Sequence, residues 1–320
     1  MRILVTGASG LLGINLALEA AQEGLSRRSK TGDGAHTVFG VVNRHALKTD
    51  AFTVLQADLL APGELERTLE IAQPDWVIHC AALAIVDACE VAPELARAMN
   101  TELPGKLARL VARGGARLLH ISTDSVFDGQ RGSYREEDEP NPLGVYARTK
   151  LEGERTVAAE NPRALIARVN MFGWSLSGSR SLAEWFFYNL QAGYRVMGFT
   201  DVYFCPLLVN DLAGILLRML DMGLAGLYHV VSSECISKYA FGVALARRFK
   251  LDENLITPSS VQQAGLKAMR SPMLTLRSDK LSDALGEPLP AISSGLEHFY
   301  NLYLHGYPQI LREMEIREGS

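Results

Sequence analysis

Residues 2–13 read RILVTGASGLLG, and the order of residue types in that stretch sets the expectation for the fold. Arg2 to Thr6 is a short apolar run, Gly7-Ala8-Ser9-Gly10 is a turn, and Leu11-Leu12-Gly13 opens an amphipathic helix through about Glu23. Strand, glycine-rich turn and helix in that order can cradle a nucleotide pyrophosphate. Gly7 permits the tight turn, Gly10 lets backbone approach the phosphates, and Gly13 allows the helix to pack closely on the strand. The phosphates would meet the exposed N–H groups and positive end of the helix, with Ser9, Leu11 and Leu12 beside them. The spacing is G-x-x-G-x-x-G, which departs from the commoner G-x-G-x-x-G.

The alternation continues outward from there. After a polar segment, Ser26 to His36, read as a surface loop, the strand Val38–Val42 ends at Asn43-Arg44. An acid at that point would bind a ribose 2′-hydroxyl, whereas Arg44 favours a 2′-phosphate, so NADP(H) is expected over NAD(H). The blander alternative is a solvated loop arginine. Phe52–Ala57 is a third strand ending in Asp58-Leu59, where the carboxylate can meet an adenine amino group and the leucine can cover the ring, although Asp58 could equally cap a turn. Trp76–Cys80 is a fourth, leading into Ala81-Ala82, small residues that with Cys80 permit close passage of a cofactor. The acids that follow Val86, Asp87 and Glu90, are divided between a site role and helix capping. A long helix from about Pro93 to Ala112 carries Asn100, which is either buried for a purpose or exposed and unimportant. Strands Arg117–Ser122 and Ala164–Val169 complete the set. Such alternation predicts an α/β, Rossmann-type doubly wound parallel sheet. Residues 1–172 are expected to form the cofactor-binding domain and 173–320 a smaller α/β substrate-binding lobe, the two interleaved.

Residues 122–150, STDSVFDGQRGSYREEDEPNPLGVYARTK, are where chemistry is expected. Ser122, Thr123 and Asp124 lie at the carboxyl end of a strand, outside which ligands of open parallel sheets bind. Tyr146 and Lys150 are four apart in a helical run and share a face. A phenol with pKa about 10 must lose roughly three units, or about 4 kcal/mol, to exchange protons near neutrality. A unit charge about 4 Å away supplies roughly that at an effective dielectric of 20. Taken alone, the pair could equally be a surface contact.

The 320 residues carry a net charge of −4 and are 48% hydrophobic, which allows a large core and leaves no footprint for nucleic acid or a membrane surface. Cys80, Cys89, Cys205 and Cys235 lack metal-ligand spacing and are expected as reduced, mostly buried thiols, with no metal site. With no charged leader and no 18-residue apolar span, a cytoplasmic protein is expected. Trp185, Phe186 and Leu190 read as packing residues on one helix. Arg270, Arg277 and Lys280 are the basic candidates for a substrate diphosphate, although each taken singly reads as a solvated charge.

TGASGLLG (Thr6–Gly13), Asp58-Leu59, HCAA (His79–Ala82), STDSVFDG (Ser122–Gly129) and YARTK (Tyr146–Lys150) together resemble the extended short-chain dehydrogenase/reductase family. AIVDACE (Ala84–Glu90), FTDVYFCPLLVNDLA (Phe199–Ala213) and RSPMLTLRSDKL (Arg270–Leu281) are similar to segments of its dTDP-4-dehydrorhamnose reductase group. The resemblance spans nearly the whole chain. It implies that Thr123, Tyr146 and Lys150 act together in catalysis, with Tyr146 and Lys150 also touching the cofactor. It further implies that Val86, Asp87, Asp124, Asn170 and Arg270 contact substrate, and that the activity is NADPH-dependent reduction of a 4-keto nucleotide sugar, in a homodimer. There are departures. Ser125 stands where the 4,6-dehydratases carry a catalytic Glu, Met171 where rhamnose-forming reductases place a sugar-facing Trp, with Trp174 three residues on, and Leu274 near a commonly polar position. Two alternatives remain: a redox-neutral nucleotide-sugar epimerase, and a nucleotide-binding regulatory subunit similar to the β subunit of methionine adenosyltransferase.

Overall fold

The apolar runs assemble into one parallel sheet of seven strands: β1 (Arg2–Thr6), β2 (Thr37–Val42), β3 (Thr53–Gln56), β4 (Trp76–His79), β5 (Arg117–Thr123), β6 (Leu165–Val169) and β7 (Gly226–Val230). Their order is β7-β6-β5-β4-β1-β2-β3. In this computed structural model residues 1–31, 36–263 and 271–316 are described. β1, β4 and β6 read as nearly continuous apolar runs because helices cover both faces of the sheet. One face packs Ile3, Val5, Ile78 and Leu119 against Leu12 and Leu16 of the Leu11–Thr31 helix and Leu212 and Leu216 of the Val209–Asp221 helix. The other packs Leu4, Val77, Leu118 and Ile166 against Leu65, Leu107, Val111 and Val157. The sheet is doubly wound, as expected.

Strand order reverses between β1 and β4, and this switch point opens a crevice at their carboxyl ends. Thr6 ties the two ends together. It pairs with His79 in register, its hydroxyl lies 2.7 Å from His79 Nδ1, and it accepts a hydrogen bond from Ala81 N at 3.3 Å.

Three expectations are corrected. The first helix continues to Thr31 instead of giving way to a loop at Ser26. Between Gly24 and Gly32 the sequence holds no glycine or proline, and its arginines and lysine are good helix formers. The helix around Asn100 is not continuous α-helix. Pro93–Arg97 passes into a π-helical turn, Ala98–Glu102, before Leu103–Gly114 resumes, with Leu103 N–H bonded to Ala98 O. Pro104 has no N–H to offer the Asn100 carbonyl, which suits the wider turn. Asn100 is buried, holding Leu83 through both its N–H (2.9 Å) and its carbonyl (3.1 Å) and Thr149 Oγ1 at 3.2 Å.

The third correction concerns the cysteines. Cys80 and Cys89 are free, but Cys205 and Cys235 form a disulfide. The short strands Tyr203–Phe204 and Ile236–Ser237 pair antiparallel with Ile236 opposite Phe204, so Cys205 and Cys235 emerge side by side. No spacing rule in the sequence reveals that register.

Beyond β6 the chain supplies β7 to the main sheet and three small sheets beside it. Trp174 centres an aromatic nucleus there, fully buried and stacked on Phe299 at 4.0 Å. Phe186 and Leu190 are buried as expected, whereas Trp185 is exposed. Among the described residues no helix is long and apolar enough to cross a membrane.

Candidate active site

The glycine turn leaves no room for a side chain at Gly7 or Gly13. Gly7 has φ +69°, and a Cβ there would lie 2.8 Å from the Ala81 backbone. A Cβ on Gly13 would lie 2.1 Å from the Gly7 carbonyl oxygen. Gly10 N–H closes the turn on that same oxygen at 2.9 Å. Gly7 and Gly10 border two adjoining regions of one cleft. The first, about 270 Å³, is walled by Ser9, Asn43, His45, Asp58, Leu59, Cys80, Ala81, Ala82 and Arg180 besides the glycines. The second, about 490 Å³, adds Leu11, Leu12, Gly13, Thr123, Tyr146, Lys150, Met171 and, again, Arg180. A cradle whose Cβ positions are blocked by backbone, next to the start of a long helix, fits a dinucleotide pyrophosphate. Of the residues expected here, Arg44 alone is not in the wall; it is exposed, and His45 takes the place beside Asn43. Asp58 lines the cleft, and its Oδ1 accepts from Leu60 N–H at 3.1 Å, as a turn cap would.

Thr123 ends β5, while Tyr146 and Lys150 project from the Val145–Glu160 helix into the same cleft. Glu90 fixes the start of that helix, accepting from Val145 N–H at 2.8 Å, and so acts as a cap while also lining the substrate side. Lys150 is buried and donates to the Ile121 carbonyl at 2.6 Å. Burial lowers its pKa to about 8 against the opposing pull of Glu154 and Cys80. Glu154 is itself buried in a network, paired with Arg168 at 2.8 Å and accepting from Ser122 Oγ. His79 and His120 stack at 5.5 Å beneath the site; burial drives His79 to about 3 and His120 well below its ordinary value, so both are neutral.

Tyr146 differs from the expectation that Lys150 would pull its pKa down. Burial pushes the phenol up to about 12; a hydrogen bond from Thr123 opposes this, and Asp124 and Cys89 add to it. The lysine ammonium is directed at a strand carbonyl, so in this state desolvation outweighs the attraction. A phenol held protonated is the form a proton donor needs.

The substrate side is a pocket of about 520 Å³ that shares Asp124, Ser125, Tyr146 and Asn170 with the cofactor cleft. Val86, Glu90, Tyr203, Phe204, Lys238 and Leu274 complete much of its wall. Buried Asp124 bonds Asn170 Nδ2 and Ser125 Oγ, and burial, the largest influence, raises its pKa despite those bonds. Asp87 is exposed and not in the wall, and Arg270 lies outside the described residues. Arg277 pairs with Asp279 at 2.6 Å, and Lys280 donates to Leu227 O at 2.7 Å, so neither enters the pocket. Trp174 is sealed in the core with Nε1 donating to Phe299 O at 3.1 Å, and it cannot take the place of a sugar-facing tryptophan. Sequence reasoning missed Lys238, Tyr203, His45 and Arg180.

Comparison with known proteins gives consistent matches. The profile of the RmlD substrate binding domain matches residues 1–304. A dTDP-4-dehydrorhamnose reductase of Mycobacterium tuberculosis (strain ATCC 25618 / H37Rv) is 36% identical over 284 residues, 87% of this chain and 85% of the relative. Methionine adenosyltransferase 2 subunit beta of Danio rerio is 31% identical over 290 residues, 88% of this chain and 84% of the relative. Among solved structures, a dTDP-4-dehydrorhamnose reductase from Clostridium acetobutylicum ATCC 824 has a TM-score of 0.79 at 27% identity, covering 95% of this chain and 100% of that one. Another, from Bacillus anthracis str. Ames in complex with NADP, shares the fold with a TM-score of 0.77 at 23% identity over 94% of this chain and 98% of that one.

Proposed function

The chain belongs to the RmlD substrate binding domain family, and from that membership we propose that it is an NADP(H)-dependent reductase of a 4-keto nucleotide sugar. The observation that most supports this reading is that Thr123, Tyr146 and Lys150 line the same cleft as the glycine turn, where that cleft meets the substrate pocket.

The turn Gly7–Gly13, with Ser9, Leu11, Leu12, Asn43, Asp58, Leu59, Cys80, Ala81 and Ala82, would hold the cofactor. Bound reduced nicotinamide supplies hydride to the carbonyl carbon. Tyr146 gives its proton to the carbonyl oxygen, and Thr123 Oγ donates a hydrogen bond to that oxygen as negative charge builds on it. Lys150 stabilises the tyrosinate left behind, and its charge is worth more there than in water because Lys150 is buried. On the substrate side, Val86 and Tyr203 provide the apolar surface. Asn170 is fixed by Asp124, and Lys238 is a cation of the pocket wall that a diphosphate could meet. Asp87, which the resemblance had implied, is not in the wall. We propose a homodimer on the resemblance alone; sedimentation equilibrium tests it.

The deciding experiment is a screen of dTDP-, UDP-, GDP- and CDP-keto-sugars with NADPH and NADH, following absorbance of the reduced nicotinamide. One keto-sugar should consume NADPH stoichiometrically. Product formation without net NADPH consumption would establish the epimerase reading instead. The similarity to the β subunit of methionine adenosyltransferase favours a regulatory reading to the same degree as it favours the fold. That reading is established by a stoichiometric protein partner together with no turnover of any keto-sugar.

A further inference from the structure

Residues 173–181 form a polar loop between β6 and the Leu182–Gln191 helix, and a single buried carboxylate lashes both of its ends. Glu184, fully buried, accepts from Ser175 N–H at 2.6 Å and Ser175 Oγ at 2.9 Å at one end. At the other it accepts from Arg180 N–H at 2.9 Å and Ser181 N–H at 3.1 Å. Ser181 Oγ donates to Gly173 O at 2.7 Å and accepts from Glu184 N–H, which completes a capping box. So many bonds to one carboxylate fix the backbone of Arg180 although its side chain is exposed.

That side chain lines both regions of the cofactor cleft, and the residues common to the two are Gly7, Gly10, Cys80, Ala82 and Arg180. Arg180 therefore shares both regions of the cleft with the glycine turn. Among the described residues it is the only lysine or arginine in the wall of the first region, where Asp58 is the acid. In the second, the other cation among the described residues is Lys150, whose ammonium is engaged by Ile121 O. A pyrophosphate laid along the turn would bring two negative charges to a place where backbone N–H groups supply only partial positive charge. A guanidinium presents paired donors that match its oxygens.

We propose that Arg180, held in place by the loop anchored on Glu184, is the cationic clamp on the pyrophosphate of the bound dinucleotide. The ordering of the loop is completed on folding, so binding does not bear that entropy. This inference rests on the cofactor half of the reading above and not on the identity of the sugar.

The test is NADPH binding to the full chain, measured by calorimetry at low and physiological salt, for the wild type, Arg180→Ala and Arg180→Lys. Arg180→Ala is expected to weaken NADPH about tenfold or more. Arg180→Lys falls between, and the alanine variant loses part of the salt dependence. Adenosine 2′-phosphate, which has the 2′-phosphate and no pyrophosphate, should bind the wild type and Arg180→Ala equally. The thermal midpoint of Arg180→Ala should match the wild type, since the anchor uses only the backbone of residue 180. Equal NADPH affinity in wild type and Arg180→Ala overturns the inference alone, and so does a matching loss for adenosine 2′-phosphate. A wild type that binds neither NADPH nor NADH overturns the cofactor reading, and this inference with it.

Discussion

The cofactor cleft and the substrate pocket meet at Tyr146 but are made in different ways. The cleft is walled mainly by backbone and small residues at the ends of adjacent strands, Gly7, Gly10, Cys80, Ala81 and Ala82, and its shape follows from strand order. The pocket is walled by side chains from distant segments, Val86, Asn170, Tyr203, Lys238 and Leu274, brought together by two-residue strands and a disulfide. A backbone cradle tolerates few substitutions and accepts one ligand shape. A side-chain wall can change its ligand without disturbing the sheet, which is how one fold serves many substrates.

Several substitutions put this contrast at risk. Tyr146 belongs to both regions, and Tyr146→Phe should lower turnover on a confirmed keto-sugar by about 10²–10⁴-fold. Its NADPH affinity should stay near wild type; near-normal turnover would remove Tyr146 as the proton donor. Breaking the disulfide with Cys205→Ser and Cys235→Ser should cost ~3–4 kcal/mol from the loop it closes, measured by urea unfolding. If the regions are separable, substrate KM rises in that variant while cofactor affinity holds. Gly13→Ala places a Cβ 2.1 Å from the Gly7 carbonyl and should cost about 1–3 kcal/mol of stability and weaken NADPH binding. Gly214→Ala, where a Cβ meets nothing within 4 Å in the Val209–Asp221 helix, should instead stabilise by ~1 kcal/mol or less. Equal outcomes for the two glycines would show that the cradle is not constrained by its backbone.

The smallest effect concerns pH. The Lys150 pKa is depressed to about 8 by burial, so its ammonium is lost as pH rises through that value. If the charge is needed, kcat/KM falls above about pH 8 along a basic limb. Glu154 acts to raise the Lys150 pKa, so in Glu154→Gln the limb should move to lower pH. A limb that stays put would separate the Glu154–Arg168 network from the catalytic charge.

Much of the cleft was legible because its determinants are local. Glycines at fixed offsets after an apolar run, small residues after β4, and a tyrosine and lysine four apart on a helix all encode their placement within a few residues. Asn100 was ambiguous because burial of one asparagine depends on a π-helical turn and on a loop that packs against it. Arg44 is not in the cleft wall, whereas Asn43 and His45 are, because adjacent residues after a strand point in different directions. The expectation that Lys150 depresses the Tyr146 pKa failed because spacing conveys proximity and not desolvation, which is set by everything packed around the phenol.

By itself the sequence determined the doubly wound sheet, the glycine cradle and the helix bearing Tyr146 and Lys150, since each rests on periodicity and short-range backbone geometry. Only the tertiary structure decided that Cys205 meets Cys235, that Lys238 and Tyr203 enter the substrate pocket while Arg277 and Lys280 bond elsewhere, and that Arg180 reaches the cofactor cleft. Those outcomes depend on how segments far apart in the chain are registered against one another, and no local pattern of residues carries that information.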